Sequence, residues 1–140
     1  MQLKTLTYVS RASLDLAERD LIDILETARL RNALEGITGV LIFNGVRFLQ
    51  IIEGAEAAID SLVAGLRRDP RHTGFEVQDE RFTEARSFPD WSMQLVQVST
   101  SFLEARQRVT EQLPDAIEPG IKRLILANTE AIGAPVRLPD

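Results

Sequence analysis

Three observations in the amino-acid sequence predict an α+β fold. β-favouring runs alternate with two amphipathic helical patterns, Asn44-Gly45 joins two of those runs at hairpin spacing, and 140 residues with 44% hydrophobic content suffice for one core.

The first run, Leu3 to Val9, carries β-favouring residues and ends at Ser10. Asp15 and Glu18 then stand in capping-box spacing ahead of a helix over Ala17 to Arg31. Leu21, Ile24, Leu25 and Ala28 recur there at three- and four-residue steps, which puts them on one core-facing stripe. Asn32 falls at or beyond the helix end, where asparagine tolerates the left-handed conformation of a C-cap. Ile37 to Phe43 and Val46 to Ile52 are strands joined by Asn44-Gly45, the dipeptide that best accepts the positive φ angles of a two-residue turn. After Glu53-Gly54 a second helix runs through Ile59, Leu62, Val63 and Leu66 and stops near Asp69-Pro70. Phe75 to Phe82 and Ser92 to Val98 read as strands, separated by a loop around Ser87-Phe88-Pro89-Asp90.

The order β, α, β, β, α, β with one additional strand fits a ferredoxin-like sheet with two helices on one face. Further helical patterns over Ser101 to Leu113 and Pro119 to Thr129 are placed to cover the other face. Residues 1–98 therefore form the main unit, and 99–140 a helical extension packed on the same domain. No repeat, low-complexity segment or linker marks a second domain.

Composition narrows the function. A chain without cysteine has no disulfide, thiolate metal site or cysteine nucleophile, and suits a reducing cytoplasm. The segment Met1 to Tyr8 lacks the charged start and apolar run of a signal peptide, and no stretch approaches a membrane span, which predicts a soluble cytoplasmic protein. A formal charge of -5 and sparse aromatics on the predicted strands weigh against nucleic acid and anionic lipid. There is no phosphate-binding glycine loop, HExxH or GxSxG, and Glu53, Glu80 and Glu84 are not brought together by any spacing, so an enzyme is not expected.

Polar residues interrupt otherwise apolar faces. Phe48, Gln50 and Ile52 share one face of their strand and Leu49 and Ile51 the other, so Gln50 falls in a buried position. Its amide then needs partners, at about 1 to 3 kcal/mol for each polar group left unpaired. An edge glutamine bonded to backbone or water and a ligand-binding one both fit. Tyr8 shares a face with Leu6 and Ser10 on a strand that the topology makes central, and its buried hydroxyl could meet Gln50 across adjacent strands. Taken singly, Asn32 reads most simply as a helix cap, His72 as a solvated imidazole, and Trp91 and Met93 as core packing. Arg67-Arg68-Asp69-Pro70-Arg71-His72 is a local basic cluster in an acidic chain.

Taken in order and spacing, Tyr8-Val9-Ser10, Ala28-Arg29-Leu30-Arg31-Asn32, Ile37-Thr38-Gly39-Val40-Leu41, Phe48-Leu49-Gln50-Ile51-Ile52-Glu53-Gly54, Arg68-Asp69-Pro70-Arg71-His72 and Trp91-Ser92-Met93 resemble the BLUF family, the sensors of blue light using flavin adenine dinucleotide. The resemblance runs from Leu3 to about Val98 and is closest to the short, stand-alone members. It implies a photoreceptor that holds FAD without a covalent bond between its two helices and signals to a protein partner in trans. By the same analogy Asn32 and Gln50 bond the polar edge of the flavin, and Tyr8 bonds Gln50 and gives the excited ring an electron and then a proton. Gln50 returns in a different rotamer or tautomer that bonds the flavin carbonyl more strongly, which shifts absorption slightly to the red. Ser10 and either Trp91 or Met93 complete the surroundings of Gln50. Ile24 and Leu66 lie against the ring, and Arg68, Arg71 and His72 match a basic segment near the ribityl or phosphate groups. The competing expectation is a ferredoxin-like regulatory module that binds a small metabolite or protein without a chromophore. A homo-oligomer through a sheet edge or face fits either reading.

Overall fold

The computed structural model describes residues 2–13, 17–70, 72–89, 93–97, 110–114, 117 and 119–133. In chain order they form β1 (Leu3–Ala12), α1 (Glu18–Glu35), β2 (Thr38–Phe43), β3 (Arg47–Gly54), α2 (Glu56–Arg67), β4 (His72–Thr83), β5 (Gln94–Gln97) and α3 (Pro119–Gly133). The strands make one five-stranded sheet in the order β4-β1-β3-β2-β5. All neighbours are antiparallel except β2 and β5, which run parallel. This is the ferredoxin-like α+β arrangement with an added fifth strand; β1 is an inner strand between β4 and β3, and the fifth strand leaves β3 at the centre.

Strand alternation sends the two faces to different cores. Leu6, Tyr8, Phe48 and Ile52 pack beneath Leu21 and Leu25 of α1 and Ile59 and Leu62 of α2. Leu49 and Ile51, with Val40 and Ile42, pack against Ile121 and Ile125 of α3 and the fully buried Phe88. Burying a large aliphatic side chain contributes about 1.5 to 3 kcal/mol, so residues on both faces of β3 hold the layers together. The helix expected over Ser101 to Leu113 lies mainly outside the described residues; 110–112 are helical.

Three local expectations are corrected. Asn32 is not the cap of α1: the helix continues to Glu35 and ends on Gly36 at φ 69, a left-handed position that suits glycine. The backbone N–H groups of Gly36 and Ile37 both donate to the Asn32 carbonyl, leaving the Asn32 side chain to another role. At the start of α1 the cap is Ala17, whose N–H donates to the Asp20 carboxylate at 2.9 Å, while Asp15 lies outside the described residues. In the hairpin, Phe43 pairs with Phe48 and Asn44 N–H donates to Arg47 O at 3.3 Å, so the central residues are Gly45 and Val46. Gly45 alone takes positive φ, at 94°, the pattern of a type II′ turn. Asn44 serves through its side chain instead, its Oδ1 accepting from the N–H groups of Val46 and Arg47 at 2.9 and 2.7 Å.

Candidate functional site

Between α1, α2 and the upper part of the sheet lies a cavity of about 810 Å³, counting its open mouth. Its floor is Tyr8 and Ser10 of β1, Leu41 of β2 and Phe48 and Gln50 of β3; its walls include Ile24, Ala28, Arg31 and Asn32 of α1 and Leu62, Gly65 and Leu66 of α2. Gly65 faces Arg31 across the helix pair: a Cβ there would make ordinary contact with the Arg31 guanidinium, at 3.6 Å.

Polar groups on this floor are placed by the sheet register. Tyr8 and Gln50 are direct partners across β1 and β3, so their side chains share a face, and the buried Tyr8 hydroxyl donates to Gln50 Oε1. Gln50 is not an edge residue, because β3 lies between β1 and β2. Its Nε2 donates to Met93 Sδ at 3.2 Å, and Arg29 Nε donates to the Met93 carbonyl at 3.1 Å. Met93 is thereby tied to the sheet through its sulfur and to α1 through its backbone. Burial pushes the Tyr8 phenol well above its usual pKa, and the Asp69 carboxylate adds to the effect, so Tyr8 is a neutral hydrogen-bond donor. Asn32, with no exposed surface, presents a second amide to the cavity from α1.

On the far face, Glu53 is also fully buried. Its carboxylate accepts from Ser87 N–H at 2.9 Å, Phe88 N–H at 2.7 Å and the Thr38 hydroxyl at 2.8 Å. Arg86 donates to Thr38 Oγ1 at 2.8 Å and to the Gly36 carbonyl at 2.7 Å. This clasp fixes the segment leading to Met93 against the end of the strand that carries Gln50.

The structure thus gathers Tyr8, Ser10, Ile24, Asn32, Gln50 and Leu66 around one cavity and puts Met93 directly behind Gln50. Arg68 is an exposed C-cap of α2 and does not line the cavity. Trp91 and Arg71 lie outside the described residues, as does the side chain of His72. Sequence reasoning did not assign Thr27, Arg31, Gly65 and Asp69 to the site, nor the apolar Ala28, Leu41, Phe48 and Leu62 that also line it. Thr27 and Arg31 follow Ile24 and Ala28 at three-residue steps on the same helix, so the stripe that predicted a core face also marked a cavity wall.

The cavity and the Tyr8–Gln50 pair define a buried ligand site on a ferredoxin-like sheet, and comparison with known proteins gives its class. The BLUF family, sensors of blue-light using FAD, is matched over residues 3–94, and the chain belongs to that family of flavin photoreceptors. It is 37% identical over 92 residues to photoactivated adenylate cyclase subunit beta of Euglena gracilis, covering 65% of this chain and 11% of that protein. The match thus spans about a tenth of the curated relative. Among solved structures, the dark-state structure of BlrB, a BLUF protein, superposes with TM-score 0.70 at 37% identity, over 94% of this chain and 89% of that one. The BlrP1 BLUF structure gives 0.80 at 28% identity, over 100% and 97%. No helix among the described residues is long and apolar enough to cross a membrane.

Proposed function

We propose that this chain senses blue light with flavin adenine dinucleotide held non-covalently in the cavity between α1 and α2, and that it signals by rearranging the hydrogen bonds of Tyr8 and Gln50. The observation that carries this reading is the buried Tyr8 hydroxyl donating to Gln50 Oε1 at the cavity floor. The donor set fits a flavin: apolar Ile24, Leu62 and Leu66 suit the faces of a planar ring, and the amides of Asn32 and Gln50 suit its carbonyl and ring-nitrogen edge.

When bound and excited, the flavin supplies a one-electron oxidant. Tyr8 then serves as the electron donor, its proton already directed along a hydrogen bond to Gln50. A neutral phenol is the form this role requires, and burial maintains it. Gln50 can exchange partners because an amide carries both acceptor and donor ends. With its oxygen on Tyr8 and its nitrogen on the weak acceptor Met93 Sδ, rotation or tautomerisation changes both contacts at once. Ser10 completes the floor beside Gln50. By the family resemblance Arg68, Arg71 and His72 are assigned to the ribityl and phosphate end of the flavin.

The output acts on a protein partner in trans, without enzymatic turnover by this chain. Residues 1–98 are the flavin-binding unit and 99–140 the helical extension that receives the change through Met93, with Trp91 assigned to the same route. The cysteine-free composition suits a reducing cytoplasm. The test is an absorption spectrum in the dark, immediately after blue light and after recovery. The expected result is a flavin spectrum with a small reversible red shift that Tyr8→Phe abolishes while flavin remains bound. A full shift in Tyr8→Phe refutes the role of Tyr8, and a protein that cannot be loaded with flavin refutes the photoreceptor reading.

A further inference from the structure

The ring of Tyr8 rests on Phe75 of β4, with centroids 4.3 Å apart and planes inclined by 27°. Register places Phe75 there: β1 and β4 slip between Thr7 and Tyr8, where the partner changes from Asp79 to Val77, and this turns Phe75 and Val77 onto the helix-covered face. Phe75 carries a second contact, since the Arg67 guanidinium carbon lies over its ring 4.6 Å from the centroid. Cation, phenyl and phenol are thus in contact in series, from the end of α2 to the cavity floor. Asp69 sits two residues beyond Arg67 and lines the same cavity. Tyr8 is the chain's only tyrosine.

We propose that Arg67, acting through Phe75, and Asp69, acting from the cavity wall, are an opposed pair of positioning charges that set how readily Tyr8 gives up an electron. The inference rests on the reading of Tyr8 as donor. In that step one electron leaves the Tyr8 ring for the excited flavin, and the phenolic proton leaves Oη along the bond to Gln50; both return in the dark. A phenol losing an electron gains positive charge. A cation behind the stacked partner opposes that gain, because it withdraws density from the Phe75 face on which Tyr8 rests. A carboxylate beside the phenol favours it. The same charges act with the same logic on phenol ionisation: a nearby cation stabilises the phenolate and a nearby anion destabilises it, in accord with the upward push that Asp69 exerts on the Tyr8 phenol. Arg31 of α1 also lines the cavity, its guanidinium close to Gly65 of α2, and it is the same in both charge variants, so its field cancels from the comparison.

Because Tyr8 has no competitor in the sequence, global incorporation of a polyfluorinated tyrosine labels it alone. Its phenol can then be titrated by fluorine NMR in the dark in the full chain, with and without FAD, with no photochemistry involved. Arg67→Gln is expected to raise the phenol pKa by about 0.3 to 0.7 unit and Asp69→Asn to lower it by a similar amount, with both shifts reduced in high salt. In unlabelled, flavin-loaded protein, Arg67→Gln is expected to shorten the flavin fluorescence lifetime by roughly twofold and Asp69→Asn to lengthen it, because electron donation from Tyr8 quenches that emission. Phe75→Leu, which keeps Arg67 but removes the plate, is expected to change the lifetime and shrink the response to Arg67→Gln. Shifts of opposite sign in the two charge variants support the proposal. Shifts of the same sign, or a titration that neither variant moves, overturn it. Failure of the underlying reading is separate: it is seen when Tyr8→Phe leaves the lifetime unchanged, while the dark titration still reports on the charge pair.

Discussion

Glu53→Gln tests whether the clasp behind the site is an organising feature of the fold. The substitution keeps the shape of the side chain and removes one acceptor atom and the charge. In the native protein Oε2 takes the Ser87 N–H and Oε1 takes both the Phe88 N–H and the Thr38 hydroxyl. Whichever way the new amide turns, its NH₂ faces a backbone N–H, so one buried donor, on Ser87 or on Phe88, loses its acceptor. Leaving such a group unsatisfied costs about 1 to 3 kcal/mol, and loss of charge assistance weakens the bonds that survive. The expected destabilisation is therefore about 2 to 4 kcal/mol, equivalent to a fall in Tm of roughly 6 to 16 °C for a chain of this length. Urea unfolding of the flavin-free protein measures it without the contribution that ligand binding adds to apparent stability. Because Ser87 and Phe88 lead into Met93, the same variant loaded with flavin should recover from blue light at an altered rate. A midpoint change equivalent to less than 0.5 kcal/mol would show that the 86–88 segment is held by Phe88 packing alone, and the positioning argument would fall.

Three further outcomes are expected. Gly39→Ala places a Cβ 2.0 Å from the Ile51 carbonyl oxygen, so β2 and β3 must separate beneath the cavity; thermal unfolding should show a loss of at least about 2 kcal/mol, and weaker flavin retention should accompany it. Lys4→Met removes a mostly buried ammonium bonded to Asp60 at 2.6 Å and Glu80 at 2.8 Å, and should cost about 1 kcal/mol, a figure kept small because both carboxylates are about half exposed. Those two partners raise the Lys4 pKa above its ordinary value, so the native advantage is fully present below pH 10.5 and is lost only as pH rises through the higher folded value; stability curves of the two proteins should be parallel from pH 6 to 9. Met93→Leu conserves volume and should change stability by less than about 1.5 kcal/mol, yet it deletes the acceptor of Gln50 Nε2, so the dark recovery rate after a blue pulse should change several-fold; an unaltered rate would remove Met93 from the switch.

Much of the fold was legible because one pattern repeated at several scales. Alternation along β3 assigned Gln50 to one face and Leu49 and Ile51 to the other, and the two cores follow that assignment. The inner place of β1, beside β3, followed from element order, and with it the meeting of Tyr8 and Gln50. What escaped was decided by contacts distant in sequence. Asn32 has the composition of a cap, and only Gly36, better suited to the left-handed position, frees it to face the cavity. The hairpin turn lies one residue later than the dipeptide alone suggests, because strand pairing of Phe43 with Phe48 fixes the register. Phe75 reaches Tyr8 through a slip in the β1–β4 ladder, which no periodicity in either strand announces. The resemblance supplied the flavin; alternation and spacing supplied a buried polar pair without a ligand.

Strand β3 carries Phe48, Gln50 and Ile52 toward the cavity side and Leu49, Ile51 and Glu53 toward α3 and the clasp. Residue parity therefore divides the labour of one strand. Changes at even positions act on whatever the cavity holds, and changes at odd positions act on the packing against α3 and Phe88. The surroundings of the cavity and the packing beneath α3 can then diverge separately among descendants of such a chain. The peptide backbone they share is what the two histories cannot vary independently.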